Sequence, residues 1–138
     1  MAHAVEAKGS LRDGPRAARR PIDMMHLAKQ SLGDANLEVE LMRLFSEAAS
    51  VYFGRLETAT TVPDLLHHLH VLKGASVGIG AWSLAEHVHV MASELKAGKP
   101  VNPEHIEDIH LSVAEVQAFI SERVAEADAA DEAELARN

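Results

Sequence analysis

The chain contains no cysteine. Disulfide staples, thiol catalysis and cysteine-ligated metals are therefore excluded, and a reducing, cytoplasmic compartment is compatible. Aromatic residues make up 4% of the 138 residues, with one Trp and one Tyr. That is too few for base-stacking platforms on nucleic acid. Net positive charge is missing too. The formal balance is -8, and phosphate-backbone binding needs basic patches. No apolar run approaches the roughly 18 residues that span a bilayer. The opening "MAHAVEAKGSLRDGPRAARR" carries no apolar block of the secretory kind. These absences argue against nucleic-acid and membrane partners. A length of 138 residues fits one domain with a core of its own.

Residues 1–20 are polar and aperiodic and read as a flexible arm; Arg16, Arg19 and Arg20 form its basic cluster. Residues 128–138, "DAADEAELARN", read as an acidic tail that frays from the last helix or is disordered. Residues 21–127 read as helix throughout. Asp23 suits an N-cap and Gly33 a stop. Asp34 suits the cap of a second helix, with an apolar stripe of Leu37, Leu41, Leu44, Phe45, Ala48, Tyr52 and Leu56. Pro63 fits the first turn of a third helix, which runs to Gly78–Gly80. A fourth starts near Ala81 with Leu84, Val88, Met91 and Leu95 on one face. After "KAGKPVNP", a fifth carries Ile106, Ile109, Val113, Val116, Ile120 and Val124. No segment sustains a period of two. The predicted fold is all-α: an antiparallel up-down four-helix bundle with a short additional N-terminal helix. The short connections favour up-down order.

The third helix, "DLLHHLHVLKGASVGIGAW" with its flanks, holds His67, His68 and His70. At about 100° per residue, Leu65, Leu72 and Ile79 lie opposite His70 and form the core stripe. His70 is thus expected to face solvent, His68 to sit on the core side and His67 on the exposed flank. Lys73 and Gly74 border His70 one turn on. A glycine inside a helix costs about 1 kcal/mol against alanine, so Gly74 needs a reason. Its missing side chain leaves the imidazole open to a bulky visitor, and Lys73 adds a positive charge. That set suits a ring nitrogen attacking phosphorus while an ammonium steadies the anionic phosphoryl group. A lone exposed histidine is commonly an ordinary surface residue, and a glycine near a helix end is commonly a cap. The weight here lies on the three residues together.

These residues match a family. "HVLKGAS" resembles the H-x-L-K-G signature of histidine-containing phosphotransfer (HPt) domains, over about residues 22–125. Gly80 stands where such domains place a glycine at the helix end. "SLAEHVHVM" resembles their following L-A-x-x-C-x-x-L segment, with Val88 for the frequent cysteine, Met91 for leucine and Ala92 for the glutamate often found next. The resemblance implies a phosphorelay intermediate of a two-component system, carrying a phosphoryl group on His70 between receiver-domain aspartates. It makes Lys73 the phosphoryl-stabilising residue and Gly74 the clearance for a partner's active site. Partners implied are response-regulator receiver domains and a hybrid or sensor histidine kinase. No cofactor is expected in this chain; the divalent metal of the transfer belongs to the receiver. Neither a P-loop nor a kinase-type glycine loop occurs, so no ATP binding or autokinase activity is expected. Leu66 and Val77, close to His70 in helical phase, are candidate partner-binding residues or, equally, fillers of the grooves toward neighbouring helices; His67 is a further partner-binding candidate. A monomer is expected.

Three other readings compete. A metal-binding bundle would use His67, His68, His70, His87 and His89. Only His67–His70 has helical ligand spacing within the cluster, and Glu86–His89 has the Glu-x-x-His spacing once. A non-catalytic interaction or dimerisation module would need no exposed histidine. A dimerising kinase domain would need an attached ATP-binding domain.

Overall fold

In the computed structural model, which describes residues 20–137, every helix but α4 (Trp82–Lys96), which follows Ala81, starts where a short polar side chain caps it. Asp23 precedes α1 (Met24–Gln30), and its Oδ1 accepts the backbone N–H of Met25 and of His26. Leu32 and Gly33 then take left-handed φ of 56° and 78° and turn the chain. Asp34 caps α2 (Ala35–Thr58) by accepting from Leu37 N at 3.1 Å. Thr61 caps α3 (Val62–Ile79), with Pro63 in the first turn, where no N–H is needed. α4 (Trp82–Lys96) follows, then Gly98 at φ 86°. Asn102 accepts from Glu104 N at 2.9 Å at the start of α5 (Pro103–Arg137).

Helices α2, α3, α4 and α5 each pack on the next, and α5 returns to α2, which closes the ring of an up-down four-helix bundle. Short connections make successive helices antiparallel. The short α1 lies on α3 and α2. The core is continuous from Ile22 and Leu27 through Phe45, Phe53, Leu69, Leu72, Leu84, Met91, Ile109 and Ile120. Its polar ties run between helices. Gln117 Nε2 donates to the Ser46 carbonyl at 2.9 Å and to Ser50 Oγ at 2.7 Å, joining α5 to α2. His105 Nε2 lies 3.0 Å from Glu94 Oε1, joining α5 to α4. Among the described residues no helix is long and apolar enough to cross a membrane.

The stripe expected on α2 is corrected. Its buried row is Met42, Phe45, Ala49, Phe53 and Leu56. Leu37 and Leu44 are 41% and 53% exposed. Leu41 and Tyr52 only flank the core. Two apolar rows run along this helix, and the one carrying the two phenylalanines buries the larger surface, so it faces inward. The stripes expected on α4 and α5 are the observed ones, with Ile106 and Val124 at the core's margin. Helix α5 continues through the acidic segment to Arg137, with its last three turns exposed. The N-terminal arm, Arg16 and Arg19 included, lies outside the described residues except for Arg20.

Candidate functional site

The inward face of α3 is Leu65, Leu69, Leu72, Ser76 and Ile79. Ser76 satisfies its buried hydroxyl by donating to the Leu72 carbonyl one turn back, at 2.7 Å. These residues fix the rotation of the helix, because turning it would bring three leucines into water at about 1.5–3 kcal/mol each. That rotation sets His70 on the exposed side, as the spacing predicts. His67 is exposed as well. His68 is half-buried, and its Nδ1 is buried without a hydrogen-bond partner among the described residues. The His67 and His68 rings meet edge-on with centroids 5.3 Å apart. His68 thus stands apart from the two exposed histidines.

Gly74 is exposed, and a Cβ built on it meets nothing within 4 Å. Its φ is not in the left-handed region. Neither packing within the chain nor backbone geometry requires glycine there. The opposite holds at Gly80. There φ is 84°, and a Cβ would lie 3.1 Å from the Asp23 carbonyl oxygen and 3.1 Å from His26 Cδ2. Gly80 N donates to the Val77 carbonyl and Ala81 N to the Ser76 carbonyl, a Schellman closure of α3.

The close approach at Gly80 seats α1 on the end of α3. Asp23 N donates to the Gly80 carbonyl at 2.9 Å. Trp82 Nε1 donates to Asp23 Oδ2 at 3.0 Å. His26 packs edge-on against the Trp82 ring, and its Nε2 lies 3.2 Å from the Gly78 carbonyl oxygen. The Trp82 bond is the main cause that holds the Asp23 carboxyl below its ordinary acidity range; the two capped N–H groups add to it against partial desolvation. Sequence reasoning found the Asp23 cap but not this clamp, which depends on the tertiary meeting of α1 with the α3–α4 turn.

Lys73 is half-buried on the seam between α3 and α4. Its Nζ lies 3.0 Å from His89 Nδ1 on α4. His89 Nε2 in turn lies 3.5 Å from Ser93 Oγ. Of the apolar candidates, Val77 is 39% exposed. Leu66 is half-buried and packs against the core, as a groove filler does. The positions that depart from the family pattern fall inside: Val88 and Met91 are core residues, and Ala92 packs against them. Among the described residues no three His, Asp or Glu side chains come together as a metal-holding group.

An accessible imidazole thus stands with a lysine one turn on and an open glycine beside it. A family model, the Hpt domain, matches residues 40–119, more than half of the chain. The chain belongs to the HPt family. Neither curated proteins nor solved structures yield a match. HPt domains are phosphotransfer intermediates in two-component phosphorelays, phosphocarriers without a kinase domain, and they generally interact with receiver domains and histidine kinases. The matched segment contains α3 and α4 whole, and with them His70, Lys73, Gly74 and His89.

Proposed function

We propose that His70 is the phospho-acceptor of this HPt domain, and that the chain relays a phosphoryl group between receiver aspartates. The observation that carries the reading is the rotation of α3. It turns His70 to solvent, opposite Leu65, Leu72 and Ile79, within the matched segment. A ring nitrogen of His70 attacks phosphorus, the bond from phosphorus to the receiver's aspartyl oxygen breaks, and a phosphoramidate forms on the imidazole. The return to a second aspartate reverses these events. The chemistry asks little of the carrier beyond position and charge. Lys73 supplies a cation for the phosphoryl oxygens, as a flexible point charge. Gly74 leaves room for the receiver's active site, since no contact within the bundle asks for glycine there.

The receiver docks on the α3 side around His70, with Val77 and the edge of Leu66 as apolar contacts and His67 on the rim. The carrier works as a monomer, one bundle presenting one histidine. The test is a transfer profile against a panel of phosphorylated receivers. At least one receiver should hand its label to the wild-type chain and to His67→Gln and His68→Gln, but not to His70→Gln. A His68 or His67 variant that cannot be labelled while His70→Gln still can overturns the assignment.

A further inference from the structure

Lys73 is a long, flexible side chain, and a catalytic cation is useful only where it is held. Among the described residues it forms no ion pair. Its ammonium is met instead by the imidazole of His89, across the helix seam, at 3.0 Å. An ammonium has only donors, so His89 Nδ1 must be the acceptor, with its lone pair free. The ring is then neutral, with its proton on Nε2, the nitrogen that faces Ser93 Oγ one turn further along α4. The order is Lys73 to His89 to Ser93, two helices joined through one ring.

The chemical character of the acceptor matters. A carboxylate in its place would neutralise the ammonium and compete with a phosphoryl group for it. A neutral imidazole fixes the direction of Nζ and leaves its charge unspent. A phosphoryl dianion is the stronger acceptor for a cation, so it can take over one N–H while the lysine stem stays on the seam. Fixing that stem in advance removes part of the rotamer freedom that would otherwise be lost during transfer.

We propose that His89 is a positioning residue for Lys73, holding the ammonium on the α3–α4 seam for phosphoryl transfer at His70. The proposal rests on the assignment of His70 and Lys73 given above. It is tested with phosphoramidate as a small donor, which places no protein on the docking surface. The His70 nitrogen attacks its phosphorus, the P–N bond breaks and ammonia leaves. Labelling rates are compared for wild type, His89→Ala, His89→Asn, Lys73→Ala and the Lys73→Ala/His89→Ala double variant, each checked for an unchanged melting transition. His89→Asn keeps an acceptor oxygen near the Nδ1 position.

His89→Ala should slow labelling roughly threefold to tenfold, toward the lower end of the coupling between touching residues. His89→Asn should recover most of that rate. In the Lys73→Ala background, removing His89 should change little. A wild-type rate for His89→Ala, an equal slowing with and without Lys73, or no recovery in His89→Asn overturns the positioning role. Failure of the underlying assignment looks different: the wild-type label is then absent from His70 altogether.

Discussion

Gly74 offers a substitution for which stability and function should move in opposite directions. It lies inside α3 with helical backbone, and a Cβ there meets nothing within 4 Å. Gly74→Ala should therefore recover the helix-propensity difference of about 1 kcal/mol with no steric charge against it. For a domain of this size that is a rise in melting temperature of roughly 3–6 °C. Gly74→Phe projects into the same open space and should leave the bundle folded. Against a phosphorylated receiver the order reverses. The added side chain stands where the receiver's active site must come, one turn from His70. We expect Gly74→Ala to slow transfer modestly and Gly74→Phe by tenfold or more, a barrier rise of at least about 1.4 kcal/mol. Labelling by phosphoramidate should fall much less, because the small donor needs no such clearance. Thermal melts followed by circular dichroism, paired with transfer from receiver and from phosphoramidate, read all three quantities. A lower melting temperature for Gly74→Ala, or equal receiver transfer by wild type and Gly74→Phe, refutes the clearance argument.

Further expectations concern the clamp between α1 and the end of α3. Gly80→Ala forces a Cβ to 3.1 Å from the Asp23 carbonyl oxygen at φ 84°; it should lower stability by about 1–3 kcal/mol, seen as an earlier denaturant midpoint. Asp23→Ala removes the cap of α1 and the partner of the Trp82 indole. It should cost about 1–2 kcal/mol in the same assay. Asp23 also predicts a pH dependence. Its folded pKa lies below the unfolded value, chiefly through the Trp82 N–H, so the native state favours the carboxylate. The stabilisation is complete above the unfolded value of about 4 and is lost as pH falls through the lower folded value. Wild type minus Asp23→Ala stability should thus be flat from neutral pH down to about 5 and shrink below about 4. A difference that grows on acidification would contradict the sign.

Much of the site was legible in the sequence because α3 has one apolar row. Leu65, Leu69, Leu72 and Ile79 fix a single rotation, and everything else about His67, His68, His70, Lys73 and Gly74 follows from angles. Helix α2 was read less well because it has two apolar rows. Leu37, Leu44 and Val51 recur at a helical interval as regularly as Met42, Phe45, Ala49 and Phe53 do, and all three are exposed. Periodicity finds both rows and does not rank them; the volume of the phenylalanines does. The phase of Leu66 fits an exposed contact and a groove filler equally, and its half-buried packing against the core favours the second. The Lys73–His89 contact and the Asp23–Trp82–Gly80 clamp join residues 16 to 59 positions apart. Such pairs are set by how helices meet, which no spacing within one helix reports. In the sequence His89 stands out only through its Glu-x-x-His spacing with Glu86; its place on the α3 seam comes from the packing of α4 on α3.

The account stands most directly on where the phosphoryl group goes. The chain should be labelled from a phosphorylated receiver, its stability to acid and base measured, and the modified residue located by fragmentation in the mass spectrometer. The label should be acid-labile and base-stable, map to His70, and disappear in His70→Gln while the melting transition of that variant stays in place. A label that survives in folded His70→Gln, or that maps to His67, His68 or His89 in the wild-type chain, contradicts it.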